Sequence, residues 1–211
     1  MNKLLSVLMS IAVAFAILTG AIALPILVRP FYYAQIDPLD MEEVSGLSRG
    51  EIIEAYNDVL DFCTGVTDEF SAGVLPFSES GASHFADCRV LFILDFIVFG
   101  VSAAVIVLLA IVGKRHKLYR FGGRSPGFWG AAVLCAVIII AAALAATDFD
   151  RAFEIFHGIF FPGKENWVFD PDLDPVILIM PEEFFRNCAI LIASAIAASS
   201  AVIMICGRKR K

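Results

Sequence analysis

Hydrophobic residues gather into long runs along this chain, at residues 4–28, 90–112, 127–147 and 184–206. Each run holds about 20 residues or more, which is enough for an α-helix to cross a hydrocarbon layer about 30 Å thick. Only Asp95 and Arg186 place a charge inside these runs. The pattern therefore predicts four membrane-spanning helices.

The first run also has a feature of a cleaved signal peptide. Ala21-Ile22-Ala23 is a small-residue segment of the kind found at cleavage sites. The apolar core of a signal peptide is usually roughly 7–15 residues long, however, and this run is longer. We therefore expect the first helix to be retained.

Charged residues predict the orientation of these helices. The loop at residues 113–126 and the tail at residues 207–211 are basic and contain no acidic residue. Of the 22 acidic residues, all but Asp95 lie in the two other connections, at residues 29–89 and 148–183. By the positive-inside rule, the basic segments and both termini are cytoplasmic, and the acidic segments lie outside the cell membrane.

Composition supports a membrane protein. Hydrophobic residues make up 59% of the 211 residues, and the mean hydropathy is +0.79. A soluble domain usually has about 45–50% apolar residues. The net charge of −6 averages a basic inner face with an acidic outer face. We interpret the basic clusters as topology signals and contacts to lipid headgroups, so no nucleic-acid partner is predicted.

The two acidic connections are long enough to form a small extracytoplasmic cap. In the first, the segment from Ser48 to Glu51 has the spacing of a capping box, and apolar residues follow at helical intervals. We expect an amphipathic helix there, whose apolar face packs on the cap or, through Tyr56, lines a lipid-binding surface. Prolines interrupt the second connection and predict a loop-rich structure. The predicted fold is all-α, with four transmembrane helices and a loop-rich cap.

Candidate chemistry centres on two of the three histidines. His84 lies just before the second predicted span, and His157 lies shortly after the third, on the same predicted side of the membrane. Imidazole moves protons near neutral pH better than any other side chain. The third histidine, His116, lies in the basic cytoplasmic loop, so we predict that it is dispensable.

Charged residues near His84 are candidates for supporting roles. In a helix that begins near His84, Asp95 shares its face and Asp87 lies on the adjacent face. A carboxylate inside a span usually has a partner, and Arg186 is the best candidate for Asp95. Alternatively, Asp87 caps the N-terminus of the helix, where negative charge is favourable. Asp95 and Arg186 could likewise form an ion pair that only joins two helices.

Aromatic residues are dense around His157 and predict an apolar pocket that holds acyl and glyceryl groups. Such residues are also common at any membrane boundary. Nearby polar residues supply contacts to a substrate or act as turn residues and helix caps. The predicted pocket residues are Tyr56, Phe156, Phe160, Phe161, Asn166, Trp167, Asp170, Asp174 and Glu182.

The five cysteines are less informative. Cys63 and Cys88 both fall in the first predicted outer segment, so a disulfide between them is an open alternative. A catalytic cysteine is not favoured by the sequence pattern.

Two motifs resemble a bacterial family of four-span integral membrane proteins that includes the lipoprotein intramolecular transacylases. One is Ser83-His84-Phe85-Ala86-Asp87-Cys88-Arg89, in which the family more often has Asp-Val-Lys where this chain has Asp87-Cys88-Arg89. The other comprises residues 156–163, Asn166-Trp167-Val168-Phe169-Asp170-Pro171, Asp174 and Pro181-Glu182-Glu183-Phe184-Phe185.

The resemblance implies a one-substrate acyl transfer in the bacterial cell membrane. A diacylglyceryl lipoprotein would pass an acyl chain from its sn-2 glyceryl ester to the amine of its own N-terminal cysteine, which leaves the lyso-form lipoprotein. No metal, cofactor or second acyl donor is implied. Since nucleophile and ester are already joined, the protein mainly has to hold an attack geometry.

The two histidines would act as general base and general acid, and the sequence leaves open which does which. His84 is slightly favoured as the base, because Asp87 or Asp95 could orient its ring. Lipoprotein preference, acyl-chain preference and oligomeric state are not legible in the sequence.

Three other functions fit parts of the pattern. His84, His157 and Asp87 could form the metal site of a membrane hydrolase, although the spacing is not diagnostic. Four spans with two outer loops also suit a non-enzymatic tetraspan accessory or adhesion protein. A transporter is the third alternative, with little to line a pathway.

Overall fold

The structure is a computed structural model that describes residues 2–115 and 117–207. His116 lies outside the described residues, so its predicted dispensability is a matter for experiment. In the described part all elements of regular secondary structure are helices, joined by turns and loops, and there is no β-strand. Its helices are α1 (Lys3–Leu27), α2 (Pro30–Tyr33), α3 (Met41–Ser45), α4 (Arg49–Cys63), α5 (Glu79–Arg115), α6 (Pro126–Ala145), α7 (Phe149–Phe160), α8 (Val176–Ile179) and α9 (Glu182–Cys206).

Four of these helices, α1, α5, α6 and α9, are long and apolar enough to cross a membrane. The predicted all-α membrane fold with four spanning helices is therefore confirmed. α5 differs from the second apolar run, because it begins at Glu79 and carries polar residues in its first turns. The bounds of the bilayer along these helices stay the prediction of the hydropathy pattern.

The predicted amphipathic helix in the first acidic connection is α4, and its capping box is present. The Ser48 hydroxyl accepts a hydrogen bond from the Glu51 amide, and the Glu51 carboxylate accepts one from the Ser48 amide at 2.8 Å. In the second acidic connection, α7 begins where the Asp148 carboxylate accepts a bond from the Arg151 amide at 2.9 Å. Local capping signals thus explain where both helices start.

The chain divides into two compact units. The first, which we call the span unit, comprises the described residues within Met1–Leu24, Asp95–Thr147 and Ile190–Lys211. Its core includes Val13, Ile17 and Ile196. Here α1 and α6 approach closely at Gly130, where any Cβ would overlap the carbonyl oxygen of Ser10.

The second unit, which we call the cap unit, comprises Pro25–Leu94 and Asp148–Ala189. Its core is built on a stack of Tyr32 and Tyr56, whose ring centroids lie 3.6 Å apart, with Phe184 edge-on to both rings. The buried Tyr32 hydroxyl donates a hydrogen bond to the Ile179 carbonyl at 2.7 Å. This bond ties α2 to α8 and satisfies two buried polar groups at once.

Candidate active site

Two imidazoles meet within the cap unit. His84 lies in the second turn of α5 and His157 in the last turn of α7, and their ring centroids are 5.9 Å apart. Both side chains are buried, with relative exposures of 6% and 5%. Residues separated by 73 positions in the chain are therefore brought to one place.

Aromatic rings enclose this pair. Phe161 contacts both imidazoles, at 4.9 Å from His84 and 5.6 Å from His157 between ring centroids. Trp167 stacks on His157 at 4.3 Å, and Phe169 meets His84 edge-on at 5.5 Å. Because these rings displace water, charges and hydrogen bonds formed between them are stronger than in bulk solvent.

One nitrogen of His157 is already engaged. Its Nδ1 lies 2.8 Å from the carbonyl oxygen of Phe153, one turn earlier in α7. A carbonyl only accepts, so Nδ1 must carry a proton, and in the neutral ring the lone pair is on Nε2. Burial lowers the pKa of His157 below its usual value, and the bond to Phe153 opposes part of that effect. The neutral, Nε2-basic form is therefore favoured at neutral pH.

The nitrogens of His84 are in a different situation. Nε2 lies 3.4 Å from the Cys88 sulfur, one turn further along α5. Nδ1 is buried and has no hydrogen-bond partner among the residues that the structure describes. A buried polar atom without a partner costs free energy, and such atoms mark places where a substrate can supply the missing bond.

Asp87 binds a lysine rather than an imidazole. Lys164 Nζ donates to Oδ1 and Oδ2 at 2.6 and 2.7 Å, and Asn166 Nδ2 donates to Oδ2 at 3.1 Å. The predicted bond from Asp87 to the ring of His84 is thus replaced by an ion pair, since an ammonium is the stronger partner for a carboxylate.

Asp95 and Arg186 belong to different units, Asp95 to the span unit and Arg186 to the cap unit. The Asp95 Oδ2 atom is buried without a hydrogen-bond partner in the described part of the chain. Their proposed pairing stays a prediction.

The remaining predicted pocket residues fall into distinct places. Phe156 lies edge-on to His157 at 5.4 Å and packs on Phe160, and both phenylalanines are about half exposed. Tyr56 is 1% exposed and packs in the core of the cap unit, so the structure corrects its assignment to the pocket. Its position on the apolar face of α4 is explained by packing.

Three predicted acidic contacts act as local structure. Asp170 closes a turn by accepting from the Asp172 amide at 3.0 Å. Glu182 lies in the first turn of α9 beside Asp150, where negative charge suits a helix N-terminus. Asp174 accepts bonds from the Ser78 amide and hydroxyl at 2.8 and 2.7 Å, directly before α5.

The cysteines are all free. The Cys63 sulfur lies 3.7 Å from the Phe85 carbonyl oxygen, whereas Cys88 contacts His84. Burial raises the pKa of the Cys63 thiol well above its usual value, which favours the protonated, unreactive form. The disulfide that the sequence left open is not formed.

Comparison with known proteins identifies the family. The sequence model of the family described as lipoprotein intramolecular transacylase Lit matches residues 7–185. This chain belongs to that family.

Solved structures of a family member agree with this assignment. The membrane-integral lipoprotein intramolecular transacylase Lit from Bacillus cereus is 26% identical, with a TM-score of 0.85 over 96% of this chain and 92% of that chain. A variant of it with one histidine replaced by arginine gives 25% identity, a TM-score of 0.82, and coverage of 97% and 89%. A variant with alanine at that position is 25% identical, with a TM-score of 0.82 over 97% of this chain and 91% of that chain. A comparison with curated protein sequences returns no significant match.

Family and fold together define the protein as an enzyme. It is a multi-pass membrane acyltransferase, an intramolecular transacylase that acts on lipoproteins. Within residues 2–115 and 117–207, no group of three or more His, Cys, Asp or Glu side chains is arranged to hold a metal ion. Of the three residues suggested for a hydrolase site, His84, His157 and Asp87, the last is bound to Lys164 instead.

Sequence reasoning missed several residues of this transacylase site. Lys164 carried no signal by itself, since its role depends on which residues the fold places beside it. Phe153 was noted only as one of the aromatic residues near His157, and the bond from its carbonyl to that ring was missed. Ser78 and Gly81 were also missed. A serine three residues before a glycine is a weak cap signal, and the capping carboxylate of Asp174 lies 96 positions away.

Proposed function

We propose that this transacylase moves an acyl chain from the sn-2 glyceryl ester of a diacylglyceryl lipoprotein to the amine of the N-terminal cysteine. His157 acts as the general base through Nε2, and His84 assists at the ester through Nδ1. The observation that carries this proposal is the pair of buried imidazoles, each with one ring nitrogen free of a partner in the described residues.

The base is assigned to His157 because its tautomer is held. The Phe153 carbonyl accepts from Nδ1, which leaves the Nε2 lone pair available for a proton, and burial keeps the ring neutral. The stack on Trp167 holds the ring plane. This reverses the slight preference from sequence for His84, which depended on Asp87 or Asp95 as an orienting carboxylate. Asp87 is paired with Lys164, and no bond joins Asp95 to His84 among the described residues.

The chemical step balances within one substrate. The cysteine amine loses a proton to Nε2 of His157 and attacks the ester carbonyl carbon, so that a C–N bond forms. A Nδ1–H of His84 stabilises the negative charge on the carbonyl oxygen. The C–O bond to the glyceryl oxygen then breaks, and that oxygen takes up the proton from the imidazolium. The products are an amide and a free glyceryl hydroxyl on the same molecule.

Enclosure by aromatic rings suits this step. Because amine and ester belong to one molecule, catalysis needs chiefly a bound geometry with the reacting atoms about 3–3.5 Å apart. Phe161 contacts both imidazoles and limits where the ester can lie. No nucleophilic side chain is required.

We also propose the orientation that the charge pattern predicts. The termini and the loop at residues 113–126 face the cytoplasm, the bilayer covers the four apolar runs, and the active site faces outward. Membrane lipids surround the four spans. This arrangement is supported by the absence of acidic residues from the basic loop and by the concentration of acidic residues in the two long connections.

The test is mass spectrometry of lipoprotein N-terminal peptides. The chain is expressed in bacteria that retain diacylglyceryl lipoproteins but lack N-acylation. Wild type and His116→Ala are expected to give the N-acyl, S-monoacylglyceryl form, whereas His84→Ala and His157→Ala are expected to lose at least 100-fold in conversion.

Two outcomes would contradict the proposal. If wild type inserts and folds but leaves the diacyl form unchanged, the reaction is wrong and an accessory function gains support. If a chelator abolishes conversion, the metal-dependent alternative replaces the two-histidine mechanism.

A further inference from the structure

A primary ammonium group already binds beside the two imidazoles. Both carboxylate oxygens of Asp87 receive hydrogen bonds from Lys164 Nζ, at 2.6 and 2.7 Å. Asp87 lies one turn from His84 on α5, so its side chain begins about 5–6 Å from that of His84. The site therefore contains a receptor for –NH3+ within reach of its general acid and base.

The amide of Asn166 completes this receptor. Its Nδ2 donates to Asp87 at 3.1 Å and to the Ser83 hydroxyl at 3.4 Å, which assigns the amide oxygen to the opposite side of the group. That oxygen is buried and has no hydrogen-bond partner among the described residues. Asn166 therefore holds the Asp87 carboxylate through Nδ2, whereas its oxygen faces away from the ammonium that Asp87 binds.

We propose that Asp87, held by the Asn166 amide group, is the subsite that binds the α-ammonium group of the lipoprotein's N-terminal cysteine. Lys164 holds this subsite closed until the substrate ammonium replaces it. This inference rests on the proposed function, because the α-amine is the group that becomes acylated.

The number of donors and acceptors agrees with this assignment. An ammonium group has three N–H donors. The two carboxylate oxygens of Asp87 accept two of them, as they do from Lys164 Nζ, and the third N–H is left for proton loss. The bound ammonium loses one proton to solvent, and the resulting amine gives a second proton to Nε2 of His157 as it attacks the ester. The third N–H stays in the amide product, and the proton on His157 passes to the departing glyceryl oxygen.

Lys164 is suited to exchange with the substrate. Its side chain is 47% exposed and belongs to the turn after α7, so it can swing into solvent without leaving a buried charge unpaired. The incoming ammonium then takes its place on Asp87, and the net charge at the carboxylate does not change. A lysine in this role competes with the substrate, whereas a merely structural ion pair stabilises the folded cap.

These two roles predict opposite results for two variants. The enzyme is purified in full length, and initial rates are measured with a synthetic diacylglyceryl lipopeptide in mixed micelles. Asp87→Asn is expected to raise KM by about tenfold to a hundredfold, the range for loss of a charge-assisted bond. Lys164→Met keeps the stem of the side chain and is expected to lower KM several-fold.

A second ligand isolates the ammonium contact. The same lipopeptide with an acetylated amine has no ammonium group, so its inhibition constant is expected to be the same in wild type and Asp87→Asn. Asp68→Asn is the matched control, because it removes an exposed ion pair to Arg89 on the same helix and is expected to leave KM unchanged.

Failure of this inference is distinguishable from failure of the proposed function. If wild type does not convert the lipopeptide, the function is wrong. If wild type is active but Asp87→Asn and Lys164→Met lose activity in parallel, or if Asp87→Asn weakens the acetylated ligand equally, the ion pair is structural and the subsite is wrong.

Discussion

Replacement of Gly81 by alanine tests whether the start of α5 sets the position of His84. Gly81 lies in the first turn of α5, three residues before His84. A Cβ at this position would overlap Oδ1 of Asp174 and lie 2.8 Å from its Cγ. Ordinary carbon contacts are about 3.5–4.0 Å, so Asp174 or the helix must move by roughly 1 Å.

The cost follows from the bonds that this movement breaks. Asp174 accepts from the Ser78 amide and hydroxyl, and two hydrogen bonds to a charged group are worth roughly 3–6 kcal/mol together. Alanine recovers about 1 kcal/mol through its higher helix propensity. We expect Gly81→Ala to lose about 2–5 kcal/mol of stability. A 1 Å shift of His84 would lower turnover by about 100-fold.

The assay combines thermal unfolding in detergent, followed by circular dichroism, with lipopeptide turnover. Gly50→Ala is the matched control, since Gly50 also lies in the first turn of a helix and a Cβ there meets only the Ser48 hydroxyl at 4.0 Å. In the double variant with Asp174→Ala, the clash disappears, so the effects of Gly81→Ala and Asp174→Ala should not add. Equal stability and turnover for Gly81→Ala and Gly50→Ala would refute this reasoning.

Two further predictions concern pH and the core of the cap unit. Burial lowers the pKa of His157, so its Nε2 stays unprotonated below the usual imidazole value of about 6.5, and activity should fall only at lower pH. If kcat/KM already begins to fall above pH 6.5 as the pH is lowered, the assignment of His157 as the base is wrong. Tyr32→Phe leaves the buried Ile179 carbonyl unpaired and should cost about 1–3 kcal/mol of stability. Thermal unfolding measures that loss, whereas turnover per folded molecule should stay unchanged, and a large loss of turnover would mean that the Tyr32 stack supports the site.

The sequence predicted those features that depend on local pattern. Four spans follow from hydropathy, because a bilayer requires about 20 apolar residues in each helix whatever they pack against. The start of α4 follows from Ser48 and Glu51, which satisfy each other within one turn. The two histidines were found because each lies next to a predicted span and both lie on the same predicted side of the membrane.

Features that depend on distant contacts were not predictable in this way. Asp87 lies three residues from His84, so helical spacing suggested that it orients the imidazole. Lys164, 77 positions later, supplies a stronger partner. For Asp174 the sequence left a substrate contact and a helix cap as alternatives, and the structure shows bonds to Ser78 at the start of α5. Tyr56 had the right periodicity for a buried face, but periodicity does not distinguish a core from a binding surface.

The cap on α5 has a consequence for how this enzyme is made. Ser78 binds a carboxylate that lies 96 positions later in the chain, and His84 lies beside the imidazole of His157 in α7. Chains are synthesised from the N-terminus, so α5 exists before either partner has emerged. A chain whose synthesis stops after α6 holds one histidine on a helix whose first residues lack the Asp174 carboxylate, and it has no second imidazole. Acyl transfer is therefore a property that the chain acquires late in its own biosynthesis, once residues up to Asp174 have joined the cap unit.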